Sequence, residues 1–435
     1  MGLSITGNPV LDFVIIQTTS ILYLSEAALP LIKWQHSEDA SLRSMSVQPI
    51  AAWYEKAAGT RMKKTSKADR PCLKTTGFSI QVLSRLAAIL PDYRLESCLA
   101  KPFSNMEWKT TAALQLQYCL EYQKEYTCTR EELASVLEGG AYFLQSGISP
   151  DDAGDYQLGL QSLYDNLSAE IDTLRLSTME LACIIRAISA WQKQNNVHQR
   201  SGFLTSLVLE VLNRKNRSGL FHYGIDGFSS ASMGQQFFIL DALLRSYTLI
   251  QLDYVLEEIF EFFSNLYQIA YVDAFDLFAF KRKSISYTAF DTGALLTCLN
   301  NIARYSADQS DQKAVINNII DSFLEFLIQS YNQNHNQEFR KLLRWIFLYR
   351  EGKAQIKDKP YVRTVFPKRV RLMYPRLEVD WDRKGIVNQG DIFFLCSSLL
   401  SLLDEESRFS PAAGIKLDIS SLRSLKALFD FFLGQ

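Results

Sequence analysis

The chain has 435 residues, an apolar share of 47% and a charged share of 21%. These are ordinary values for a folded globular protein and exclude wholesale disorder. Its formal net charge of −1 offers no global attraction for nucleic acid or for an anionic membrane. Eleven Pro and twenty Gly are few for this length and favour long uninterrupted elements over a turn-rich β protein.

The first element in chain order is 9–32, PVLDFVIIQTTSILYLSEAALPLI. Asp12, Gln17, Thr18, Thr19, Ser20 and Glu26 break its apolar run, and the first basic residue is Lys33. The segment therefore reads as a buried helix, neither a signal peptide nor a membrane span. The opening MGLSIT also fits the loose N-myristoylation pattern through Gly2 and Thr6. KKTSK at 63–67 reads as a flexible loop.

Beyond residue 70 the predicted helices fall into two classes. One is poor in charge and opens on small polar residues: 75–90, 110–122, 177–191, 232–247, 290–305 and 389–403. In the fifth, FDTGALLTCLNNIARY, apolar residues cover well over half the circumference, so the helix is expected to be buried on most sides. The other class is amphipathic: 129–145, 252–268, 310–331 and 420–433. Thr129 and Glu132 form a capping pattern that marks a helix start. Seven cysteines are scattered without a CxxC pair, several inside apolar runs. They read as reduced core thiols in a reducing, cytoplasmic compartment.

The charge-poor helices start about 60 residues apart on average, which is what two helices and their loops need. Six buried helices alternating with exposed ones suggest six helical hairpins. A closed ring with an inner and an outer layer explains both classes. A helical solenoid explains the alternation too, but demands a more regular repeat than the sequence carries. With SGLFHYGIDG followed by QQFFILDALLRSY, the rhythm resembles the six-hairpin (α/α)6 toroid superfamily of glycosidases, sugar epimerases and terpenoid-cyclase-like toroids. The expected fold is all-α: an N-terminal helical extension and basic loop over 1–70, then a toroid over 71–435, a single domain overall. The resemblance implies a site at the mouth of the ring, on loops leading to the inner helices and at their N-termini.

Several strong signals are absent from the sequence. There is no phosphate-binding loop, dinucleotide fingerprint or HExxH. Four histidines and dispersed cysteines give no basis for a zinc site, and no cofactor is implied. The Cys/Cys/His zinc set of lanthionine-cyclase toroids has no match. The Asp-rich motif of protonation-type terpenoid cyclases has only a partial echo in Asp380 and Asp382.

Three stretches carry the candidate residues. In GLFHYGIDGFSS (219–230), His222, Tyr223 and Asp226 supply an imidazole, a stacking ring and a carboxylate. The following helix carries Gln235, Gln236 and Asp241. The same loop is equally a glycine-rich hairpin with a capping Asp. Before the fifth buried helix stand Arg282 and Tyr287, and at its start Asp291. Asp291 is either a reacting carboxylate or an N-cap. Stretch 350–376 has nine basic residues against Glu351 and Asp358. It is either a solvated excursion or an anion site formed by Arg363, Lys368, Arg369 and Arg371.

The resulting expectation is an enzyme acting on a carbohydrate-like or polyhydroxylated small molecule. Asp291 and Asp226 are its acid/base carboxylates, and His222, Tyr223, Gln235, Tyr287 and Arg282 bind substrate. Two alternatives remain open. One is a terpenoid-type or natural-product cyclase holding a diphosphate on the basic stretch. The other is a non-catalytic toroid binding a peptide or protein partner. No nucleic-acid partner is expected.

Overall fold

The computed structural model describes residues 6, 8–24, 73–90, 105–125, 127–147, 150–169, 172–195, 202–217, 219–224, 231–272, 277–278, 285–305, 369–373, 376–380 and 389–403, with isolated positions at 316–324 and 353. The described residues are predominantly helical, the class expected. Their helices are α1 (Pro9–Leu24), α2 (Leu73–Ile89), α3 (Asn105–Glu125), α4 (Arg130–Gln145), α5 (Pro150–Ser168), α6 (Thr178–Gln194), α7 (Gly202–Leu212), α8 (Met233–Ile250), α9 (Asp253–Ala270), α10 (Ala289–Tyr305) and α11 (Gln389–Leu403). Two small antiparallel sheets accompany them. β1 (Tyr271–Val272) pairs with β2 (Leu277–Phe278), and β3 (Ile285–Tyr287), β4 (Arg369–Met373) and β5 (Arg376–Asp380) lie in the order β3-β4-β5. No described helix is long and apolar enough to cross a membrane.

The chain gathers into two compact units. The first comprises Met1–Leu163, Ile328–Lys368 and Trp381–Phe409; the second comprises Tyr164–Leu327, Arg369–Asp380 and Ser410–Gln435.

In the first unit, α2 packs against α4 and α11, and α1 packs against α11. The α2–α4 approach is set by glycines. A Cβ on Gly77 would overlap the Ser135 carbonyl, and one on Gly139 would lie 2.6 Å from the Gly77 carbonyl oxygen. Further along, the Arg85 guanidinium sits 4.2 Å from the Tyr142 ring centroid, so the two helices run parallel. On the other side, the Phe78 and Phe394 rings stand 5.2 Å apart. Arg85 donates to the Ser397 carbonyl at 3.0 Å, and Ser397 Oγ donates to Gln81 Oε1 at 3.0 Å.

The structure corrects one pair of sequence assignments. The charge-poor 110–122 segment is expected from its composition to be buried on most sides, and 129–145 to be amphipathic. In α3 the buried residues form a single stripe: Trp108, Thr111, Ala112, Gln115, Leu116, Cys119 and Leu120. In α4 every residue from Leu133 to Ala141 is buried, Glu138 included. Two of the three acids of α4, Glu131 and Glu132, lie in its first turn, where they complement the helix dipole, and the third, Glu138, is buried, so they define no wet face. Helices α5 and α7 are additions to the elements expected from the sequence.

In the second unit, α8 packs between α6 and α10, with α7 against α6 and α9 against α8. Burial is nearly unbroken over Thr178–Gln192, Gln236–Leu244 and Thr292–Ala303. The neighbour order is α11–α2–α4 in the first unit and α6–α8–α10 in the second.

Candidate functional site

Three helix starts in the second unit share one capping chemistry. At α6, Ser177 Oγ accepts the Glu180 N–H at 3.1 Å, and Glu180 Oε2 accepts the Ser177 N–H at 2.7 Å. At α8, Ser232 Oγ accepts the Gln235 N–H at 3.4 Å, and Gln235 Oε1 accepts the Ser232 N–H at 2.8 Å. At α10, Thr288 Oγ1 accepts the Asp291 N–H at 3.1 Å, and Asp291 Oδ2 accepts the Thr288 N–H at 3.0 Å. Each is a reciprocal box that satisfies first-turn amides.

These starts lie at one end of the layer. Gly234 in the first turn of α8 faces Asp291 in the first turn of α10. Deeper in the layer, Asp241 of α8 accepts from Arg186 of α6 and Asn301 of α10, so α6, α8 and α10 run parallel. Residues 219–224 are clamped at the same end. The Tyr223 carbonyl accepts the Thr178 N–H at 3.2 Å. Gln236 accepts the Phe221 N–H at 3.0 Å and donates to the Phe221 and Ala231 carbonyls at 2.9 and 3.2 Å. Gly219 takes a φ of 77°, the left-handed conformation its missing Cβ permits.

The structure thus brings His222, Tyr223, Gln235 and Asp291 to one end of the layer. Tyr223 is 45% exposed. His222 is half-buried, its backbone N–H donating to the Arg214 carbonyl at 3.0 Å and its Nδ1 enclosed without a hydrogen-bond partner. Asp291 is half-buried and serves as the third residue of a capping box, with Thr288 as the N-cap. Gln235 spends its side-chain oxygen on the α8 box; its neighbour Gln236, fully buried, holds the loop. Tyr287 lies in β3 opposite Val370. Asp226, Arg282, Arg363 and Lys368 lie outside the described residues.

Arg369 and Arg371 belong to β4. In the β4–β5 register Arg369 stands opposite Asp380 and Arg371 opposite Glu378. Among the described residues no group of three or more His, Cys, Asp or Glu could hold a metal ion.

A second polar constellation escapes sequence reasoning. Asp241, with no solvent exposure, accepts at Oδ2 from Arg186 and, at 2.9 Å, from Arg245 Nε, and at Oδ1 from Asn301. The Arg186 guanidinium also lies 4.7 Å from the Phe238 ring centroid. Both carboxylate oxygens are engaged by donors from three helices, so Asp241 ties those helices together. Its partners Arg186 and Asn301 are 55 and 60 residues distant in sequence, beyond any local pattern; the one local signal is the i,i+4 spacing of Asp241 and Arg245.

No family model matches the sequence, and no curated protein matches it. Among solved structures the chain is similar to a D-mannose isomerase, with 10% identity and a TM-score of 0.44 over 75% of this chain and 87% of that one. It is also similar to a glycoside hydrolase family 76 mannosidase from Bacteroides thetaiotaomicron, with 9% identity and a TM-score of 0.45 over 81% and 98%. A third similarity is to an unsaturated glucuronyl hydrolase from Streptococcus agalactiae, with 10% identity and a TM-score of 0.45 over 81% and 96%. Likeness of this degree transfers no residue role.

Proposed function

We propose that the shared end of α6, α8 and α10 is the active site of an enzyme that acts on a carbohydrate-like, polyhydroxylated substrate by carboxylate acid–base chemistry. The observation that carries this reading is the convergence of three capped helix starts, the half-buried Asp291 and the exposed Tyr223 ring at one place. Helix N-termini favour negative charge, by about 0.3–1 kcal/mol each near the surface. Asp291, at such a start, is the proposed carboxylate for proton transfer with a substrate hydroxyl or for stabilising a developing cation. Tyr223 offers its ring to the apolar face of a sugar, and His222 a nitrogen to its hydroxyls. Asp226, two residues beyond Gly224, is the proposed second carboxylate. A separation of roughly 5–10 Å between the two would set the stereochemistry if the bond cut is glycosidic.

The test is a panel of nitrophenyl glycosides and free aldoses, scored for release and for isomerisation. Asp291→Asn keeps an oxygen to accept the Thr288 N–H, so it should hold the melting temperature within a few degrees while lowering turnover by about 100-fold or more. A wild-type chain inert on the whole panel, or an unimpaired Asp291→Asn, would sink the proposal.

A further inference from the structure

We infer that Gly234 is a positioning residue: its missing side chain makes the seat in which the Asp291 carboxylate rests. The inference depends on the catalytic reading of Asp291 and extends it to a residue of a different helix. Gly234 is buried in the first turn of α8. A Cβ placed there would overlap Asp291 Oδ1 outright and would stand 3.0 Å from Asp291 Cγ and 3.1 Å from Asp291 Cα. The carboxylate could swing away from a methyl group. The α-carbon of Asp291 belongs to the backbone, and its crowding could be relieved only by parting α8 from α10. The other Asp291 oxygen is committed to the Thr288 N–H at 3.0 Å, so a swing also strains the α10 cap. The backbone of Gly234 is not left-handed: the positive-φ glycines among the described residues are Gly147 and Gly219. Local conformation therefore gives no reason for glycine at this position. Glycine is disfavoured inside a helix, so proximity to Asp291 is what accounts for it.

The experiment is a double-mutant cycle in the full chain with Gly234→Ala and Asp291→Ala, read by melting temperature and by kinetics on whichever panel substrate the wild type turns over. With Asp291 present, Gly234→Ala should lower the melting temperature. With Asp291→Ala as background, the carboxylate is gone and the α-carbon contact at 3.1 Å remains, so the same substitution should lower it by clearly less. Gly234→Ala should also lower kcat by about 10-fold or more with KM little changed, as expected when a reacting group is displaced and substrate contacts are not.

An equal fall in melting temperature in both backgrounds overturns the seat. A smaller fall in the Asp291→Ala background with unchanged kcat overturns the positioning role in catalysis and leaves only a packing role. The thermal cycle needs no substrate, so failure of the seat is distinguishable from failure of the proposed activity.

Discussion

At the scale of single residues, two thiols tie the buried layers to pH. Cys298 on α10 and Cys396 on α11 are fully enclosed. Burial pushes the Cys298 thiol well up, and the nearby Asp241 carboxylate pushes it further. Burial likewise pushes Cys396 well up, against a smaller opposing effect of a hydrogen bond from Thr18. In the unfolded chain both titrate near a pKa of about 8.5. Above that pH the unfolded state loses these protons while the folded state keeps them, so stability falls as pH rises. The slope is about 1.4 kcal/mol per pH unit for each thiol at most. Urea unfolding between about pH 8 and pH 10 should show this decline, and Cys298→Ala with Cys396→Ala should remove that part of it. An unaltered slope in the double variant would refute the assignment. Both positions are legible as core thiols, because each sits in an apolar helical run. The carboxylate beside Cys298 is not, since Asp241 reaches it from another helix. Asp291 shows the same division: its capping is readable from Thr288-x-x-Asp291, but its closeness to Gly234 is not.

Among elements, what decides inner from outer is the pattern of burial, and low charge is an imperfect proxy for it. Between Thr110 and Tyr122 helix α3 carries Glu121 as its only charge yet buries one stripe. Helix α4 carries Glu131, Glu132 and Glu138 yet is enclosed from Leu133 to Ala141. The informative signal is its Gly139-Gly140 pair, which lets neighbours approach: Gly139 meets the Gly77 backbone and Gly140 meets the Leu160 side chain. Helix starts are far more legible, because Thr129, Ser177 and Ser232 with their partners three residues on are a local chemistry. The close approach makes a prediction. Gly77→Ala places a methyl against the Ser135 backbone, which no rotamer can clear, so it should destabilise by about 1–3 kcal/mol or more. Gly154→Ala on α5 is the control. Nothing lies within 4 Å of its would-be Cβ, so the exchange should stabilise by up to about 1 kcal/mol. Chemical denaturation of the two variants checks both signs; equal effects would remove the packing argument for α2 and α4.

For the whole molecule, chain order and spatial order part company. The second unit takes in Arg369–Asp380 from far along the sequence, and that segment carries β4 and β5 to β3. Neither strand is legible in the basic 350–376 stretch. Its charges mask the alternation that marks a strand, and the partner β3 lies before α10, too distant for a hairpin signal. The register gives this sheet a bearing on the candidate site. Tyr287 pairs with Val370 and is followed at once by Thr288, the residue whose hydroxyl and amide complete the Asp291 box. The central strand β4 thus fixes the backbone that enters α10. Val370→Pro would remove a ladder donor from that central strand, where proline is not tolerated. Hydrogen exchange at Ile285–Tyr287 and Arg376–Asp380 should then speed up by about 10-fold or more, while the amides of α6 keep their protection. Turnover should fall with it, because the carboxylate loses its fixed approach without being touched. Faster exchange in the strands with undiminished activity would show that the sheet does not set Asp291, and the link from residue 370 to the site would be broken.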